Sequence, residues 1–182
     1  MAVATRAVSF LWGISEATFF FFVPDIWLTR IALKNPKEAY INIAIATAGA
    51  ICGGTIIYFL ALFFFHEVQT FLAEIPAISP QMIHETEIQI HTSGLGLAML
   101  KGMGSGIPYK IYAAWAGKLQ FPFASFLILS VAARTLRFSL AVCATHLAAH
   151  TLKLKLSFGC IYGLYAFFWF SLYASYFYIF GF

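Results

Sequence analysis

Four basic residues carry the chemistry most in need of explanation: Lys101, Lys110, Arg134 and Arg137. They lie in a stretch from Gly94 to Phe138 that is otherwise apolar enough for lipid. A cation at the centre of a bilayer costs about 2.5–3.5 kcal/mol on insertion scales, so each is expected to face a protein interior, a watery cavity or an anionic ligand. Gly102, Gly104 and Gly106 permit unwound backbone, and Pro108 suits the first position of a new helix. The free amides of such a helix start, flanked by Lys101 and Lys110, would attract phosphate or carboxylate. Arg134 and Arg137, three residues apart, share one helix face, unless they sit in a turn between two shorter helices. Two acids, Glu16 and Asp25, interrupt the first apolar run and are the natural partners of these cations, although Asp25 also suits a helix cap.

The elements that must position these groups belong to a membrane. Of 182 residues, 62% are hydrophobic and only 10% charged, with a mean hydropathy of +0.85, which excludes an ordinary soluble domain. One membrane domain over 1–182 is expected. Residues 8–33 form a broken apolar segment, with Pro24 and Asp25 opening its second half. A transmembrane helix follows over 40–65, in which Gly49 and Gly53 have the small-xxx-small spacing for close packing. Residues 66–92 carry Glu67, Glu74, Glu85 and Glu87 with no lysine or arginine, and Val68, Phe71, Leu72 and Ile75 mark an interfacial helix ending at Pro76 and Pro80. His84 and His91 read as exposed loop residues, since no metal-ligand spacing joins them to the glutamates. A second broken segment spans 94–117, and transmembrane helices follow over 119–150 and 157–182, the latter with Gly159 and Gly163 available for packing. Cys52, Cys143 and Cys160 read as small packing residues in apolar runs. No signal peptide is evident, because Glu16 breaks the first apolar run, and GMGSG lacks the spacing of a nucleotide loop.

Charge asymmetry then sets the topology. Arg30, Lys34, Lys37, Lys153 and Lys155 prefer the cytoplasmic side and the acidic excursion the other. A full crossing by 94–117 would carry Lys153 and Lys155 outside, whereas a re-entrant segment removes the conflict. The first segment, bounded by Arg6 and Arg30, is likewise best drawn as entering and leaving by one face. The expected fold is therefore an all-α integral membrane protein with two oppositely oriented re-entrant hairpins, each followed by a transmembrane helix. It forms an inverted repeat with tips near the midplane, completed by a C-terminal transmembrane helix.

The combination of SEATFFFFVPDIWL, GAICGGTIIYFLALFF and KGMGSGIPYKIYAAWAGKLQFPFASFLILSVAARTLRF, covering about Trp12 to Ala141, resembles the DedA superfamily (SNARE-associated or VTT domain), closest to its YqaA branch. The resemblance implies paired re-entrant hairpins and movement of lipids or of lipid carriers such as undecaprenyl phosphate, with proton dependence in some members. It carries the family's acidic positions to Glu16 and Asp25, and its basic positions approximately to Lys110, Arg134 and Arg137. The chain departs from the pattern at Ser105 and Lys110, where the family usually places arginines around the proline. It also departs at Phe21, Val23 and Asp25 in the first hairpin. Lysine is a point charge without the bidentate fork of arginine.

These readings lead to a transporter that moves an anionic lipid headgroup, of a phospholipid or undecaprenyl phosphate, between leaflets of a bacterial inner (cytoplasmic) membrane. Lys101, Pro108, Lys110, Arg134 and Arg137 would hold the headgroup. Glu16 and Asp25 would pair with the cations in its absence, and protonation of either acid would release them, coupling transport to protons. The expected partners are membrane lipid and protons, with no nucleic acid, no metal and no cofactor, and a homo-oligomer is left open. Two alternatives stand beside this reading: a proton-coupled carrier of a small soluble anion, and a non-transporting scaffold held by a buried charge network. An enzyme is not expected, because no nucleophile or catalytic histidine constellation stands out.

Overall fold

Two proline-led helix starts set the register of the bundle. Asn35 accepts a hydrogen bond from the Glu38 amide (3.2 Å) and Pro36 occupies the first turn; Ser79 does the same for the Met82 amide (3.1 Å) ahead of Pro80. Each side chain satisfies an amide that a helix start leaves without a partner, and proline has no amide to satisfy. The computed structural model describes residues 2–153 and 156–180. Among them it holds eight helices and no strand: α1 (Ala2–Thr18), α2 (Asp25–Lys34), α3 (Pro36–Phe63), α4 (Phe65–Ala73), α5 (Pro80–Ser105), α6 (Tyr109–Lys118), α7 (Phe123–Lys153) and α8 (Phe158–Phe180). Three are long and apolar enough to cross a membrane, over Pro36–Phe63, Phe123–Leu152 and Phe158–Phe180. The chain is an all-α membrane protein.

Both broken segments fold back on themselves. Trp12 donates its indole hydrogen to the Phe22 carbonyl and Trp27 donates to Thr5, so the chain that leaves along α1 returns along α2. Tyr112 reaches Gln89 and Trp115 donates to the Ile83 carbonyl, closing α5 on α6 in the same way. The packing is reciprocal. The first arm of each hairpin lies on the long helix that follows it, α1 on α3 and α5 on α7. The second arm lies on the long helix of the other half, α2 on α7 and α6 on α3.

Close approach of α1 and α3 depends on glycine. A Cβ at Gly49 would run into the Phe10 carbonyl, and one at Gly13 into the Ala46 carbonyl. The Gly49 and Gly53 pair is thus consumed within the chain rather than at a second copy. Around it, Ser9 donates to Asn42 (2.6 Å) in the buried seam and Arg6 bridges Glu38 (3.0 Å) at its end. Gly49→Ala should therefore lower the thermal unfolding temperature, by an amount equivalent to about 1–3 kcal/mol of overpacking, while Gly104→Ala, which faces open space, should not. Equal melting of the two variants would contradict this packing.

Several expectations change. The polar stretch is not a loop beyond Pro80: His84 and His91 lie on α5, where His84 meets Glu87 at 3.2 Å, because Ser79 and Pro80 start a helix that runs on into the second hairpin. That hairpin's first arm begins earlier than residue 94, with one non-helical residue at Gly94 (φ 76°) marking the boundary within α5. Pro24 and Pro108 stand one residue before their helices, at the cap. Cys52, Cys143 and Cys160 are exposed on the outside of the bundle instead of packed inside it. Gly159 and Gly163 serve no close packing among the described residues, since a Cβ at either would meet no atom within 4 Å on a helix that is mostly uncovered. Lys155, Gly181 and Phe182 lie outside the described residues.

Candidate functional site

The arginine pair is on one continuous helix, α7, with no turn at that point, and its i, i+3 spacing turns both guanidinium groups toward the first hairpin. Arg134 donates to Glu16 at 2.5 Å, with both side chains almost fully buried. Arg137, one turn on, donates through Nε to Asp25 at 3.2 Å. The two acids flank the break: Glu16 is near the end of α1 and Asp25 is the first residue of α2. An acid at a helix start also meets the positive end of its dipole, so Asp25 acts as a helix-start residue and an ion-pair partner together.

Lys110 arrives from the other hairpin. It is 1% exposed, and its Nζ donates at 2.8 Å to the carbonyl of Phe20, a group that the broken backbone between α1 and α2 leaves unused by the helix. The tips of the two hairpins therefore meet. Among the described residues Lys110 has no carboxylate partner, although it is as buried as Glu16. Three cations share two carboxylates, which leaves one positive charge uncompensated in the centre of the protein.

That charge opens on space. A cavity of about 440 Å³ is lined by Glu16, Asp25, Thr29, Gly106, Pro108, Lys110, Arg137, Trp169, Tyr173 and Tyr176, among others. Its walls come from both breaks, from α7 and from α8. Arg134 is absent from this lining. It stands behind Glu16, between the rings of Tyr109 (5.1 Å) and Phe138 (4.6 Å), beside a void of about 20 Å³. Its Nε has no hydrogen-bond partner.

Of the residues expected at the site, Glu16, Asp25, Pro108, Lys110 and Arg137 are brought together at the cavity, and Arg134 lies one layer behind it. Lys101 is elsewhere. It is exposed on α5, while Ala98, Met99 and Gly102 around it are buried, and it lines no part of the cavity. The wall supplied by α8 was not expected. Tyr173 accepts a hydrogen bond from the Val23 amide (3.0 Å), Tyr176 donates to the Gly106 carbonyl (2.8 Å) and Tyr165 donates to the Ile26 carbonyl. Broken helices leave amides and carbonyls without helical partners, and Tyr173 and Tyr176 answer the need at the two tips, while Tyr165 bonds a carbonyl within α2. The signal was present as aromatic residues at 165, 169, 173 and 176, an i, i+4, i+8, i+11 stripe hidden in a helix aromatic all round. Tyr176→Phe should loosen α8 by about 0.5–1.5 kcal/mol, the net worth of one hydrogen bond, and quicken amide exchange around Gly106. Unchanged exchange there would contradict the latch.

No protein-family model, curated protein or solved structure matches the chain.

Proposed function

We propose that this chain is a transporter that carries an anionic headgroup, of a phospholipid or a lipid-linked phosphate, between the leaflets of a bacterial cytoplasmic membrane. The observation that carries the reading is the uncompensated Lys110 ammonium on a cavity bounded by the tips of both broken segments. A buried cation without a counter-ion is costly, and an arriving anion would repay that cost. Lys110 and Arg137 are the groups that touch the headgroup, with the open helix start after Pro108 adding amide dipoles. Arg134 positions Glu16. Lys101 has no part in the site.

In this reading the two hairpins are re-entrant and oppositely oriented, and α1–α3 and α5–α7 form an inverted repeat, the architecture that alternating access uses. The reciprocal packing of their arms supports it, as does the resemblance to the DedA superfamily. Asp25 competes with the anion for Arg137. The groups facing it and the cavity are Glu16, Lys110, Arg137 and Tyr173, with Arg134 behind. Asp25→Asn releases the guanidinium and is expected to tighten ethyl phosphate binding; binding unchanged in Asp25→Asn would remove this competition.

Binding of ethyl phosphate to the purified chain tests the anion site: wild type binds and Lys110→Ala binds about ten- to a hundredfold more weakly. Flux of fluorescent phospholipid across vesicles holding the chain tests transport. Inhibition of a soluble-phosphate flux, with no lipid movement, would favour a carrier of small anions.

A further inference from the structure

The charged cavity does not end at its charged walls. Ala144 and Thr145 of α7 and Phe168 of α8 line it, and the same three residues line a second space of about 360 Å³ that continues between α7 and α8. The continuation is apolar. Its remaining walls are Ala148, Ala149 and Leu152 of α7, Leu33 of α2, and Ile161, Leu164 and Tyr165 of α8. On α7 the lining positions run 144, 145, 148, 149 and 152, a stripe of one helix face on which Ala149 is buried and Ala144 and Ala148 are exposed. Leu33, Ala149 and Ile161 pack together in its wall. From Ala144 to Leu152 the groove is about 12 Å long, taking a rise of 1.5 Å per residue.

A cationic chamber continuous with an apolar groove matches an amphiphile. We infer that the groove between α7 and α8 is a binding site for one hydrocarbon chain of the lipid whose anionic head sits against Lys110. The ligand class is then an anionic head on a chain that can be threaded singly, as in an alkyl or polyprenyl phosphate or one arm of a phospholipid. The inference rests on the proposed anion site and names what lies beyond it. At about 360 Å³ the groove is at the lower end of ligand-pocket sizes, with room for one chain and not for two side by side. Its apolar lining contributes affinity in proportion to the chain surface taken from competing lipid or water.

The test uses dodecyl phosphate carrying a diazirine at the end of its chain, added to phosphatidylcholine vesicles that hold the full-length protein, with labelled peptides mapped by mass spectrometry. The expected result is labelling confined to 144–152 and 161–168. It falls about tenfold in Ala148→Phe, which fills the groove, and falls likewise in Lys110→Ala, which releases the head. Ala148→Leu, a smaller intrusion, gives an intermediate loss, and ethyl phosphate binding is unchanged in both Ala148 variants. Labelling spread over the lipid-facing helices overturns the proposal, as does groove labelling that persists in Lys110→Ala. Ethyl phosphate binding with scattered label refutes the groove alone, whereas absence of ethyl phosphate binding in wild type refutes the anion site beneath it.

Discussion

Removing Arg134 unfolds more of this protein than removing any other cation at the site. Arg134 and Glu16 are 4% and 3% exposed, lie 2.5 Å apart and join α7 to α1 across 118 residues of chain. Breaking such a pair strands the surviving charge, which costs about 3–5 kcal/mol. Arg134→Met and Glu16→Gln should each lose about that much stability, in detergent or in lipid. The double variant should lose far less than the sum, since neither charge is then stranded. Thermal or denaturant unfolding of the four proteins makes the cycle. Additive losses would show that the two side chains do not depend on each other. Arg137→Met is the contrast, because its side chain is 24% exposed to the cavity and its loss is expected in transport before stability.

The second large effect is on binding. A hydrogen bond to a charged group contributes about 1.5–3 kcal/mol, equivalent to about ten- to a hundredfold in affinity. Lys110→Ala is therefore expected to weaken ethyl phosphate binding by that factor with the fold retained, as the lost ammonium leaves only the Phe20 carbonyl without a donor. Lys110→Arg should restore charge without restoring full affinity. A guanidinium is larger and planar, and the site at Phe20 is shaped for a compact point donor. Affinity equal to wild type in Lys110→Ala would transfer the anion to Arg137 or remove it from the cavity.

Much of this arrangement was legible in the residues themselves. Charges in an apolar stretch have few places to go, and two arginines three apart on a helix must point together, so the pairing of Glu16 and Asp25 with the later cations was legible, though not that the α7 arginines take both acids. The breaks at Pro24 and Pro108 are local chemistry as well, readable to within one residue. Lys101 went astray because proximity in sequence to a break is not proximity in space. Its neighbours Ala98, Met99 and Gly102 are buried while it stands exposed. The extent of α5 was hidden because glutamates and histidines on an exposed helix face look like a loop when no apolar period is strong. The part played by α8 was invisible for a different reason: its tyrosines serve carbonyls and amides of distant breaks, and nothing in a uniformly aromatic helix says which hydroxyls will be used. The order of Arg134 behind Arg137 depends on packing depth, which one turn of helix changes without altering the pattern.

Lipid movement through the meeting point of the two hairpins is the central proposal. It is tested most directly by reconstituting wild type and folded Lys110→Ala in vesicles and following the transfer of a fluorescent anionic phospholipid from the inner to the outer leaflet. Transfer by wild type that falls at least about tenfold in Lys110→Ala, with equal amounts of folded protein, is the predicted result. Transfer at the same rate in both proteins, or none above protein-free vesicles in wild type, would contradict it.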